Sequence, residues 1–146
     1  MALIQNKKAH FNYEILKKIE AGIELFGFEV KSLKKGQGSL EGSHVTVRGN
    51  EVFVIGMQIP PYQPANTPKD YDPRRNRRLL LTKKEIKNLE GEEGQKRLTI
   101  VPLSVYNKGR KLKIEIAIVR GKKKYDKRET IKKRDTERET RRQFKA

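Results

Sequence analysis

Lysine and arginine are the side chains with which this chain can do most, and they come in blocks. Lys7-Lys8 stand near the start and Arg74-Arg75-Asn76-Arg77-Arg78 in the middle, and from Lys122 to Ala146 almost every residue is charged. Fixed positive charge in such blocks binds phosphate by ion pairing and counterion release, without reading sequence. Aromatic rings set among the cations add stacking on nucleobases. Tyr125 is the best-placed ring, because the polar run around it offers no core to bury it. Tyr62 and Tyr71 lie in a proline-rich stretch that they could simply pin. A net charge of +17, with a pI near 10.2, implies a polyanionic partner.

Residues of catalytic type form no comparable constellation. The chain has no cysteine, hence no thiol nucleophile, no disulfide and no cysteine-based zinc site. His10 and His44 are far apart, without a second histidine at ligand spacing, and are expected at the surface or a rim. Ser32, Ser39 and Ser43 lack the glycine context of a nucleophile elbow. Gly36-Gln37-Gly38 lacks the rest of a phosphate-binding loop. Glu92-Glu93 sit between glycines and read as a solvated turn. No enzyme, metal or cofactor is expected. A membrane surface is the other polyanion, but Tyr125, Ile131 and Phe144 are too sparse to anchor the basic run. No apolar stretch is long enough to span, and no signal segment follows Met1. The expectation is a cytoplasmic protein without a membrane partner.

At 146 residues, with 34% apolar and 36% charged, the chain suits one domain with an appendage. The division falls at Gly121. Before it, Leu112, Ile114, Ile116 and Ile118 alternate with Lys113, Glu115, Ala117 and Val119, the pattern of a strand with one buried face. After it, residues 122–146 lack an apolar face but carry Glu129/Lys133 and Glu137/Arg141 at helical spacing. Residues 1–121 are thus expected to form the body, and residues 122–146 a tail disordered alone and helical on a partner.

Within the body, Tyr13, Ile15 and Ile19 suggest a strand broken at Ala21-Gly22. Residues 23–30 are apolar on both parities and read as a strand covered on two sides, with Gly27 as a bulge or corner. A helical turn from Val30 to Lys35 ends at Gly36. Val45 and Val47 pair with Val52, Phe53 and Val54 across Gly49-Asn50 in a hairpin, extended through Met57 and Ile59 until Pro60-Pro61. Residues 60–78 have no periodicity, which marks a functional or disordered loop. Thr82 and Glu85 form a capping box for a helix to about Glu90, with Ile86 and Leu89 buried and Gly91 as its stop. Residues 97–106 make a strand with Pro102 at an edge or bulge, followed by a turn at residues 107–110. The pattern favours a mainly β body: a small closed antiparallel barrel of OB type, with about six strands and two or three helices.

Blocks of residues across almost the whole chain resemble one family. They are Asn6–Ala9 (NKKA), Glu20–Ile23 (EAGI), Gly27–Leu33 with its EVKSL, Asp72-Pro73 leading to RRLLLTKKEI, Val101-Pro102-Leu103, and Arg120–Glu129 (RGKKKYDKRE). In this order they resemble the SsrA-binding protein (SmpB) family, the bacterial partners of transfer-messenger RNA (tmRNA).

The resemblance implies an OB-fold body bound to the tRNA-like domain of that RNA. It also implies a tail that folds as a helix in the empty mRNA channel beside the ribosomal decoding centre. The process is trans-translation, which rescues stalled ribosomes and tags incomplete proteins. A monomer on tmRNA is implied, and the elongation factor that delivers aminoacyl-tRNA is a candidate further partner. Contacts to tmRNA are implied at Asn6, Lys7, Lys8, Glu20, Gly22, Leu80 and Lys113. Contacts to the ribosome are implied at Gly121, Lys122, Lys123, Lys124, Tyr125, Asp126, Lys127 and Arg128. Read without the resemblance, Glu20 is a polar turn residue and Leu80 a core leucine. The chain departs from the family at His10-Phe11-Asn12-Tyr13, where an Arg-His-Asp-Tyr-like run is usual, and at Thr82, where asparagine is common. Two rival readings are a general RNA-binding OB module and a nuclease or RNA-modifying enzyme.

Overall fold

The computed structural model describes residues 2–63, 65, 67–93, 95 and 98–121. The expectations placed on residues 122–146 lie outside the described residues. Among the described residues, seven strands and three helices follow one another as β1 (Ala2–Gln5), α1 (Lys7–Asn12), β2 (Tyr13–Ile23), α2 (Gly27–Lys34), β3 (His44–Arg48), β4 (Glu51–Ile55), β5 (Arg77–Leu80), α3 (Lys83–Glu93), β6 (Leu98–Lys108) and β7 (Lys111–Gly121). Every pairing is antiparallel. The order β6-β3-β4-β5-β2-β7 closes on itself through β6–β7, and β1 adds to β6 beside β3. This is the OB-like barrel the alternation implied. Closure leaves those six strands no open edge along the ring.

Alternation along β7 puts Ile114, Ile116 and Ile118 inside the barrel, against Val52, Val54, Val105 and Leu89. The expectation of one buried face holds only for half the strand. Ala117 and Val119, on the outer parity, are also buried, in a second cluster with Ala9, Val101 and Leu103. The cover is α1, a helix the sequence reading did not contain. It is fastened by Asn6, whose backbone N–H donates to the Leu103 carbonyl at 2.7 Å. The Asn6 side-chain amide donates to the Pro102 carbonyl at 3.0 Å and the Leu40 carbonyl at 3.4 Å.

Four further expectations need correction. The first long strand, β2, is not broken at Ala21-Gly22 but runs on to Ile23, because Gly22 is paired on both sides, to Leu80 and to Lys113. Residues 27–30 are helix, not strand. Glu29, three residues into α2, accepts from the Phe26 backbone N–H at 2.8 Å and caps it. Apolar residues on both parities then serve as two sides of a helix end. The strand β4 stops at Ile55, where Gly56 takes φ +85°, although Met57 and Ile59 remain fully buried. Helix α3 passes through Gly91 because Glu93 anchors its last turn, accepting from the Thr46 hydroxyl and the Val47 N–H, each at 2.8 Å. Glu93 is therefore no solvated turn residue.

Other local readings stand. The β3–β4 hairpin turns at Gly49 with φ +62°. Gly36, at φ +76°, ends α2. Thr82 and Glu85 exchange reciprocal capping bonds of 3.1 and 3.2 Å. The β6–β7 register shifts between Pro102 and Ser104, which is the bulge the proline signalled.

Candidate nucleic-acid interface

Strand register assembles the main site. Gly22 of β2 pairs with Leu80 of β5 on one side and Lys113 of β7 on the other, and Lys113 pairs in turn with Tyr106 of β6. Leu80, Gly22, Lys113 and Tyr106 therefore form one row across four strands. They face outward, opposite in parity to the buried Ala21, Leu79, Val105 and Ile114. Gly22 lets the strands sit close here, since a Cβ would come 3.1 Å from the Leu80 Cβ and Leu80 would have to give way. The leucine lies down over the glycine and still leaves 47% of itself exposed. It is therefore not the core leucine that the residues alone suggested.

Glu20 lies two residues back along β2 on the same outer face. Tyr106 donates its hydroxyl to one carboxylate oxygen, and Lys108 Nζ stands 2.9 Å from the other. The Tyr106 hydrogen bond, helped by Lys108, lowers the Glu20 pKa and keeps the group ionised. Burial and the same carboxylate push the Tyr106 phenol up, so it stays a donor. An ionised carboxylate on a cationic face repels phosphate and can accept hydrogen bonds from a ligand's N–H or hydroxyl groups. Beside the row, a groove of about 340 Å³ is lined by the apolar Ile23, Leu25 and Leu80 and the cationic Arg110, Lys111 and Lys113. Apolar and cationic side chains lining one groove suit a nucleotide, whose base and phosphate need one of each.

Glu20, Gly22, Leu80 and Lys113, which are spread from residue 20 to residue 113 of the sequence, are thus brought together. Asn6, Lys7 and Lys8 are not part of this row. They sit where β1 meets α1, with the Asn6 amide occupied by backbone carbonyls and Lys8 paired to Glu41. Lys7 is exposed. Gly121 is the last residue of β7, opposite Tyr13. Tyr106, Lys108, Arg110 and Lys111 were missed by the reading of residues. The signal was present as a turn of three cations between two alternating strands, with Tyr106 on the outward parity.

The arginine block at residues 74–78 behaves differently from its appearance. Arg77 is fully buried and donates Nε to Glu29 at 2.8 Å. Its other nitrogens donate to the Met57 carbonyl at 2.7 Å and the Pro73 carbonyl at 3.0 Å. Arg75 donates to both Glu29 oxygens. Tyr71 closes the cluster, donating to Glu29 at 2.9 Å or the Ile59 carbonyl at 2.8 Å. Burial would raise the Glu29 pKa, but hydrogen bonds from Arg75 and the Phe26 N–H, with Arg77, outweigh it and hold the carboxyl low. Burial and the Glu29 carboxylate push the Tyr71 phenol to about 12. Tyr71 does pin its loop. Two of the four arginines thus hold the loop and are not free for phosphate. Among the described residues, no cluster of His, Cys, Asp or Glu could hold a metal, and no helix is long and apolar enough to cross a membrane.

The family described as SmpB protein matches residues 3–146 of this sequence. The chain belongs to the SmpB family. Among its relatives in the family, the SsrA-binding protein of Oleidesulfovibrio alaskensis is 51% identical over 142 residues, covering 97% of this chain and 91% of that protein. The SsrA-binding protein of Chlorobaculum tepidum is 52% identical over 137 residues, covering 93% and 87%. A solved structure described as "tmRNA-SmpB: a journey to the center of the bacterial ribosome" superposes with a TM-score of 0.70 at 41% identity, over 83% of this chain and 85% of that one.

Proposed function

We propose that this chain is a non-enzymatic RNA-binding adaptor of the bacterial cytoplasm. It binds the tRNA-like domain of tmRNA through residues 1–121 and delivers it to the A site of stalled ribosomes for trans-translation. The observation that carries the reading is the outward row Leu80, Gly22, Lys113 and Tyr106 with Glu20 beside it. Phosphate attraction by Lys113, shape fit over Leu80 and hydrogen-bond acceptance by Glu20 together suit a folded RNA surface better than a uniform duplex. Asn6 acts through position, holding Lys7 and Lys8 at the mouth of α1. The tail, residues 122–146, senses the empty mRNA channel. There Lys122, Lys123, Lys124, Lys127 and Arg128 meet rRNA phosphates, Tyr125 stacks on a base and Asp126 accepts hydrogen bonds, with Gly121 as the hinge.

The test is competition for labelled tRNA-like domain at fixed, near-physiological salt, with ordinary tRNA and duplex RNA as competitors. Failure of both competitors at large excess supports the reading. Equal competition reduces the affinity to phosphate electrostatics and makes the chain a general RNA-binding module. Deleting residues 122–146 should leave body binding nearly intact and abolish tagging of stalled products.

A further inference from the structure

Among the described residues, three large apolar side chains remain about half exposed: Leu16, Leu80 and Phe26. Leu80 belongs to the row described above. Phe26, 49% exposed, takes no part in it. It stands immediately before α2, next in the chain to Leu25 of the groove. One side of its ring is closed by Arg75, whose guanidinium carbon lies 4.0 Å from the ring centroid. Phe28 leans on it at 5.5 Å and is itself braced edge-on by Tyr71 at 4.7 Å. The guanidinium cannot turn away, because Glu29 grips it with both carboxylate oxygens and is fixed in turn by the buried Arg77. The result is a cation and a ring in contact, held in place through Glu29, with the ring still half exposed.

We propose that Phe26 and Arg75 form a stacking site for an unpaired nucleobase that shares no residue with the Leu80–Lys113 row. The surrounding charge favours RNA over a protein side chain. Arg74 is exposed beside Arg75, and Arg78 is 46% exposed in a loose 3.7 Å pair with Glu24, the carboxylate nearest along the chain to Phe26. Both arginines carry exposed positive charge close in the chain to Arg75 and are available to the flanking phosphates of a stacked nucleotide. Stacking is sequence-tolerant, since every base has a flat face, and a preset guanidinium–ring pair loses little freedom on accepting one. The site rests on the adaptor reading only for the presence of an RNA.

The chain contains no tryptophan, so Phe26→Trp in the full-length protein places a single indole at the site. Its emission is titrated with octaadenylate and with an abasic ribose-phosphate oligomer of equal length and charge. The basic tail binds both oligomers alike, but only a stacked base quenches the indole. Saturable quenching by octaadenylate alone is the expected result. In parallel, Phe26→Leu should reduce the ratio of the two oligomers' affinities about five- to tenfold, with the unfolding midpoint of the barrel unchanged. Equal quenching by the abasic oligomer overturns the proposal, as does an unchanged affinity ratio. Absence of quenching by either also overturns it and leaves Phe26 to a protein partner. Specific binding of tRNA-like RNA would survive any of these failures, so the two readings fail separately.

Discussion

Two carboxylates in this molecule each pair with a tyrosine and with cations, and they differ in burial and in which cations they use. Glu29 has Tyr71, Arg75 and Arg77; Glu20 has Tyr106 and Lys108. Glu29 is fully removed from water. Its partners are arginines, which are less strongly hydrated than lysine and present a planar fork of donors. Among the described residues no buried side-chain polar atom is left without a partner, as a buried ion pair requires. Glu20 is exposed and uses a lysine, whose hydration need not be given up. The buried cluster ties the loop at residues 60–76 onto α2 and so sets β5, which carries Leu80. The exposed cluster keeps a carboxylate ionised and oriented on a cationic face, where only a ligand with hydrogen-bond donors can use it.

That contrast is most sharply broken at Glu29. Glu29→Ala leaves two arginines facing an emptied site, one of them buried, and should cost about 3–5 kcal/mol, read as a lowered midpoint in urea. The same group sets a pH dependence. The folded state holds its carboxyl below the ordinary 4.5, so the unfolded chain takes up the proton first as pH falls. Its contribution is complete above about pH 4.5 and is lost as pH drops through the folded value. Glu29→Gln should flatten stability against pH in that window, measured by thermal unfolding.

Gly22→Ala comes next. The new methyl presses on the Leu80 Cβ and Cδ1, at a cost of about 1–3 kcal/mol, and RNA affinity should fall with it because Leu80 is pushed from its place over residue 22. Lys113→Ala should leave stability alone and reduce the salt slope of tmRNA binding by about 0.9, the share of one phosphate. The smallest effect is Tyr106→Phe. It removes one exposed hydrogen bond to Glu20 and should weaken RNA binding by about 1 kcal/mol, without moving the unfolding midpoint.

Features set by neighbours in the chain were legible. The Gly49-Asn50 hairpin, the Thr82/Glu85 box, the Pro102 bulge and the alternation of β7 depend on residues a few positions apart. What escaped depends on distant partners. Apolar residues on both parities at 23–30 fit strand and helix alike, and the decision lies with Glu29, whose cationic partners are 46 and 48 residues away. The same distance hides that Arg77, read as a phosphate binder, is buried and that Arg75 is held by Glu29. Glu93 looked solvated because its acceptor role is met only from β3. The row at Gly22 is a matter of register between β5, β2 and β7, which no local pattern specifies. Its members were reached through family resemblance alone, and Tyr106, which the resemblance did not supply, was missed.

The most direct test of the contrast is the affinity of Glu20→Ala for the tRNA-like domain at fixed salt, measured beside its thermal unfolding. Affinity about tenfold weaker, or 1.4 kcal/mol, with an unchanged midpoint is the result expected of an exposed carboxylate used for recognition. Unchanged affinity, or a loss that tracks unfolding, would contradict the account and make Glu20 a second structural anchor like Glu29.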